Sequence, residues 1–148
     1  MSSYRQHYYH IVFGTKRRER TIPNEHCTLL YKYIWGFIEK KKCKLYRIDG
    51  FEDHIHLLVD IHPRIAIADF VKDLKVSSSL WLKEREEFYN FRGWSEGYAS
   101  FTVSHNSKNA VVEYIKSQKE HHEGISFQDE YKAILLENGL DLDEKELE

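Results

Sequence analysis

Leu45-Tyr46-Arg47-Ile48-Asp49-Gly50-Phe51-Glu52-Asp53-His54-Ile55-His56-Leu57-Leu58-Val59-Asp60-Ile61 contains two runs rich in aliphatic, aromatic and β-branched residues, Leu45 to Ile48 and His54 to Ile61. Such side chains suit a pleated surface, so both runs are expected as strands. Asp49-Gly50 between them suits a tight turn, which predicts a hairpin, and Pro63 ends it. Upstream, Tyr8 to Phe13 has strand composition and is followed by a basic loop. A helix is expected from about Asn24, with Pro23 in its first turn and Cys27, Leu30, Ile34, Phe37 and Ile38 along one buried stripe. Downstream, a second helix over roughly Ile65 to Arg85 buries Ile67, Phe70, Val71, Leu74, Trp81 and Leu82. A fourth strand, Tyr98 to Val103, follows the Gly93/Gly97 loop. A third helix is expected to be capped within Ser104 to Ser107 and to end at Gly124, and a short one covers about Asp129 to Glu137. The order βαββαβ predicts an α+β fold of the ferredoxin-like, split βαβ kind. Its antiparallel sheet carries helices on one face, with a further helix appended.

The 148 residues, 41 % hydrophobic and 31 % charged, suffice for one domain over residues 1–140, leaving 141–148 as an acidic tail expected to be disordered. No apolar run exceeds four residues, as in Ile65 to Ala68, far short of the roughly 20 that a membrane-spanning helix needs. The amino terminus lacks the apolar core of a secretory signal, so a cytoplasmic location is expected. Cys27 and Cys43 belong to no CxxC pair and are expected as thiols. The net charge of −2 conceals an asymmetry: residues 1–50 hold 11 basic and 4 acidic side chains, residues 101–148 hold 5 and 11. The basic first third, with Lys16-Arg17-Arg18 and Lys40-Lys41-Lys42, suits a polyanion. Charged runs also simply keep loops and helix ends hydrated.

Two short motifs carry chemistry. In a strand, His54 and His56 project from the same face, so both imidazoles can reach one metal ion. Taken alone, the pair reads as the polar face of an amphipathic strand. On a helix, Tyr114 and Gln118 stand one turn apart on one face, a spacing that also arises by chance. Together the motifs make a complete site. Two imidazoles and an amide oxygen form an open, mixed N/O set suited to Mg²⁺ or Mn²⁺. The ion would polarise a scissile phosphate, and Tyr114 would attack it. Attack on DNA leaves a phosphotyrosine and a free 3′-hydroxyl, so rejoining needs no ATP.

His54-Ile55-His56 with Tyr114 and Gln118 resembles the HUH single-tyrosine transposases of the IS200/IS605 type and their REP-associated relatives. Tyr9-His10-Ile11-Val12-Phe13 is similar to the opening strand of that family, and Asp53 to Leu58 to its metal-binding strand. Gly97 to Ser104 resembles the segment before the catalytic helix, and Tyr114-Ile115-Lys116-Ser117-Gln118-Lys119-Glu120-His121-His122 resembles that helix. The resemblance implies an enzyme that cuts and rejoins single-stranded DNA beside hairpins, with Tyr114 as nucleophile and His54, His56 and Gln118 as metal ligands. It also implies a homodimer in which the tyrosine helix can complete the partner's site.

His121 and His122 remain unassigned. Lys16, Arg17 and Lys75 are candidate phosphate contacts, and Trp94 a candidate base-stacking platform. Trp81 lies on an apolar stripe and is expected in the core. Two rival readings stay open: a non-catalytic module that binds single-stranded nucleic acid, and a nicking enzyme of the replication-initiator type. The short chain, without a P-loop, disfavours the second.

Overall fold

Strands β1 (Tyr8–Gly14), β2 (Lys44–Phe51), β3 (His54–Asp60) and β4 (Ala99–Val103) form one antiparallel sheet in the order β2-β3-β1-β4. The computed structural model describes residues 3–140; the expected acidic tail lies outside the described residues. Helix α1 (Cys27–Lys40) connects β1 to β2, and β3 inserts between those two strands, which is the split βαβ plan expected from the order of elements. Helix α2 (Ile67–Lys83) leads back to β4 at the other edge.

Strand alternation divides the sheet into two unlike faces. The register pairs Ile11 with Leu57 and Phe13 with Ile55, and these side chains point towards α1 and α2. There they join Leu30, Ile34 and Ile38 from α1, and Phe70, Val71, Leu74 and Leu82 from α2, in one buried cluster. Each fully buried side chain of this size contributes about 1.5–3 kcal/mol. The other face presents His10, Val12, His54, His56 and Leu58. It is covered by α3 (Lys108–Lys116), α4 (Gln118–His121) and α5 (Phe127–Glu137). Ile115 seats α3 on Tyr8 and Leu58, while Phe127 and Ile134 seat α5 against Val12, Ala99 and Phe101.

Three local expectations are corrected. The hairpin does not turn at Asp49-Gly50: β2 continues to Phe51 and the turn falls on Glu52 and Asp53. Gly50 instead lies in the ladder opposite Ile55, where a Cβ would stand 2.2 Å from the His54 carbonyl oxygen. Glycine here serves close backbone approach and not the turn. The third helix does not run unbroken to Gly124. It breaks at Ser117, between Tyr114 and Gln118, and α4 ends at His121. Its start is preceded by a 3₁₀ turn over His105–Ser107 with no serine side chain capping the backbone, so the expected cap is replaced by backbone bonds such as Ser107 N–H to Ser104 O at 3.0 Å. No helix among the described residues is long and apolar enough to cross a membrane.

Candidate active site

The expected pair, His54 and His56, occupies alternate positions of β3, an interior strand, and both side chains are fully buried. A buried imidazole needs partners for both ring nitrogens. His54 Nδ1 lies 2.7 Å from Asp53 Oδ1, and His56 Nδ1 lies 2.8 Å from His10 Nε2. His122, from the turn after α4, places its Nδ1 2.7 Å from the Ile125 carbonyl oxygen. With the outer nitrogen of each ring held, all three Nε2 atoms face inward. Such outer partners fix ring orientation at metal sites.

Helices α3 to α5 bring the remaining groups. The break at Ser117 does not separate Tyr114 from Gln118, because both still reach the same buried point. Gln118 Oε1 lies 2.9 Å from His54 Nε2 and 3.1 Å from His122 Nε2. The next residue, Lys119, ties α4 to the sheet by donating to Asp49 Oδ1 at 2.6 Å. Helix α5 is started by Ser126, whose Oγ accepts from the Asp129 N–H. Phe127 then stacks on the His54 ring, with centroids 4.0 Å apart and planes 6° apart. Gly14 makes room for this stack, since a Cβ there would meet the Phe127 ring at 2.8 Å.

One turn further along α5, Glu130 enters the centre of the cluster, with only 2 % of its surface exposed. Its Oε1 lies 2.8 Å from His122 Nε2, 3.3 Å from His56 Nε2 and 3.4 Å from His54 Nε2. Its Oε2 accepts from the Tyr114 hydroxyl and, at 2.8 Å, from Gln118 Nε2. The nucleophile and the ligands named from sequence therefore meet within one chain, around a carboxylate that sequence reasoning missed.

Burial works against the ionised form of Glu130, but hydrogen bonds from His122, His54 and His56 outweigh it and hold the carboxyl well below its ordinary range. Burial likewise disfavours a charged His54, yet the bonds to Asp53 and Glu130 prevail and its pKa is raised. His56 is drawn down to about 4, chiefly by burial, and His10 to about 3, by burial and by His56 beside it. Both therefore stay neutral near pH 7, the form in which imidazole binds metals. Burial first, then the hydrogen bond to Glu130 and its charge, raise the Tyr114 phenol above its usual value of 10.0. The phenol is thus held protonated near pH 7, donating to Glu130.

His54, His122 and Glu130 form a group of buried ligand atoms all within 4.8 Å of one another. The inward pairs among His54, His56, His122, Gln118 and Glu130 that lie in contact span 2.8–3.4 Å. Neighbouring ligands of a six-coordinate ion with bonds of about 2.1 Å stand roughly 3.0 Å apart. The donor set thus fits a divalent metal ion.

Beside this cluster, a cavity of about 660 Å³ is lined by Lys16, Arg17, Trp94 and Tyr98, and Phe127 forms part of its wall. Arg17 and Arg18 adopt positive φ angles of 58° and 55° in the turn that presents these cations. Trp94 packs edge-on against Phe13 and Phe91 and donates from Nε1 to Ser78 Oγ at 2.9 Å. Lys75 is turned to another task, donating to the Ser95 and Gly97 carbonyls and so bracing the glycine loop. Trp81 is partly buried and stacks on Tyr33. His10 had a faint signal in the sequence, two positions before Val12, the register partner of His56. Glu130 had none, lying among the acidic residues of the last third.

Comparison with known proteins gives consistent matches. The family described as "Transposase IS200 like" matches residues 3–118, a stretch that ends at Gln118 and leaves His122 and Glu130 beyond it. The transposase for insertion sequence element IS200 from Salmonella typhimurium is 32 % identical over 117 residues, covering 76 % of each chain. The ISDra2 transposase TnpA of Deinococcus radiodurans is 28 % identical over 115 residues, covering 74 % of this chain and 82 % of that one. A transposase structure from Deinococcus radiodurans R1 superposes with a TM-score of 0.58 at 26 % identity, over 80 % of this chain and 98 % of the other. A REP-associated tyrosine transposase bound to a REP hairpin shares the fold, with a TM-score of 0.63 at 11 % identity over 84 % of this chain and 76 % of that one.

Proposed function

The chain belongs to the IS200-like transposase family, a family of DNA-cutting and DNA-rejoining enzymes, and on that premise we propose that it cleaves and rejoins single-stranded DNA beside hairpins through a covalent bond to Tyr114. One observation carries this reading: the Tyr114 hydroxyl, both strand histidines and Gln118 converge on a single buried point. His54, His56 and Gln118 would hold a divalent ion, Mg²⁺ or Mn²⁺. When bound, the ion supplies Lewis acidity to a phosphate oxygen and offsets developing negative charge.

The protein's own groups do the rest. The Glu130 carboxylate, already accepting the Tyr114 hydrogen bond, orients the phenolic oxygen, and the phenolic proton leaves to solvent as that oxygen attacks phosphorus. Gln118 Nε2 keeps that carboxylate oxygen in place. The bond from phosphorus to the 3′ oxygen breaks, and the departing oxygen takes a proton from solvent. A 5′-phosphotyrosine and a free 3′-hydroxyl result. Attack by a 3′-hydroxyl reverses the step and releases Tyr114, so the phosphodiester energy is kept throughout.

Lys16 and Arg17 would contact the phosphates of a strand lying in the cavity beside Phe127, with Trp94 and Tyr98 offering aromatic surface. Lys75 serves this surface by bracing its loop. A hairpin substrate is supported by the fold shared with the hairpin-bound REP-associated protein. A homodimer remains part of the proposal; sedimentation as a monomer at micromolar concentration would remove it. The meeting of Tyr114 with the histidines of its own chain supports a site completed within one subunit, with exchange of the tyrosine helix between partners as the alternative. The test of the whole reading incubates the protein with Mn²⁺ or Mg²⁺ and single-stranded hairpin DNA from the flanks of its gene. A covalent adduct is expected with the unaltered protein and none with Tyr114→Phe, which still binds DNA. An adduct that persists in that variant would place the nucleophile elsewhere.

A further inference from the structure

Three histidines, and not two, are prepared alike. His54, His56 and His122 each have Nδ1 engaged outward, by Asp53, by His10 and by the Ile125 carbonyl respectively, and each directs Nε2 inward. His122 is 8 % exposed, and Phe51 stacks against its ring. Its Nε2 meets the same carboxylate oxygen that the two strand histidines face. Glu130 is equally committed: burying a carboxylate is costly unless its charge is met, and Oε1 is met by three histidine Nε2 atoms. Neither residue lies within the stretch matched by the family, which ends at Gln118.

We propose that His122 and Glu130 are direct ligands of the divalent ion, so that α5 and the turn before it complete a site of three imidazoles, one amide oxygen and one carboxylate. The inference rests on the metal-dependent reading given above and deepens it. Five protein donors on a six-coordinate ion leave one position for a substrate oxygen. A site with three nitrogens and an anionic oxygen favours a transition ion over Mg²⁺, which prefers oxygen ligands and retains its waters. The site therefore binds Mn²⁺ ahead of Mg²⁺. Glu130 would then help hold the ion while its Oε2 accepts from the Tyr114 hydroxyl.

The test measures Mn²⁺ binding to the full chain without DNA, by calorimetry and by electron paramagnetic resonance. Glu130→Gln keeps the shape of the side chain and removes its charge. His122→Asn keeps a donor towards Ile125 and removes Nε2. Each is expected to weaken Mn²⁺ binding at least tenfold, since losing a direct ligand costs no less than the roughly 10–100-fold seen for outer partners. His105→Asn, at an exposed histidine in the turn before α3, is expected to bind as the unaltered protein does. Circular dichroism checks that each variant is folded. Should Glu130→Gln fail to fold, counting coordinated imidazole nitrogens by electron spin echo on the unaltered protein decides the matter: three are expected, and two would overturn the inference. Unchanged Mn²⁺ affinity in both variants, with the Tyr114 adduct intact, would overturn it and leave the function standing. Failure of the unaltered protein to bind any divalent ion would overturn both.

Discussion

The two faces of the sheet solve different problems with the same strands. Towards α1 and α2, β3 presents Ile55, Leu57 and Val59, which need only shape and exclusion of water. Towards α3 to α5, the alternate residues His54 and His56 are equally buried, and burial there is tolerable only because each ring nitrogen finds a partner. The first face is held by many interchangeable contacts. The second is held by a few directed ones, and each of those also builds the candidate site. The apolar core and the candidate site thus occupy opposite sides of a single strand.

Substituting neighbours on β3 exposes this division most directly. Leu57→Ala should lower the free energy of unfolding by about 2–5 kcal/mol. In the molecules that remain folded it should leave Mn²⁺ affinity unchanged, which denaturation monitored alongside calorimetry would reveal. His56→Ala should slow adduct formation by on the order of 10²-fold or more, because Lewis-acid stabilisation is worth several kcal/mol. Near-normal cleavage in that variant would mean the histidine face is merely structural. Chelation of divalent ions should likewise abolish the adduct while leaving the apolar face, and hence most of the unfolding free energy, in place.

Smaller effects sharpen the contrast. His10→Ala touches no inward donor, yet it frees the His56 ring and should weaken Mn²⁺ binding about 10–100-fold. An unchanged affinity would show that ring orientation is set elsewhere. Gly14→Ala forces Phe127 off its stack on His54 and should destabilise the fold by about 1–3 kcal/mol, the usual cost of overpacking, with a shift in the thermal midpoint as the readout. Least of all, Lys16→Ala or Arg17→Ala should each reduce by about one unit the slope of log affinity against log salt for single-stranded DNA. An unaltered slope would move the DNA path away from the cavity.

The fold and half of the site were legible because both depend on short-range periodicity. A period of two placed His54 and His56 together, and helical stripes located α1 and α2 within a few residues. Gly50 misled because a glycine after an aspartate has the same local signature in a turn as where two backbones approach closely. The distance from His54 O that decides between them belongs to the neighbouring strand. His10 lies 46 positions from His56, and Glu130 lies 74 from it, so no window of sequence contains either pair.

From the chain alone followed the order of elements, the side chains that share each face of β3, and the kinship carried by its two motifs. Tertiary packing alone decided that the histidine face is sealed from water and that a carboxylate from the acidic last third sits at its centre. The reason is physical. Periodicity sets the direction in which a side chain points, whereas what it meets there depends on how α5 is drawn onto the sheet by Phe127 and Ile134, apolar contacts that carry no local record of the charged residue delivered between them.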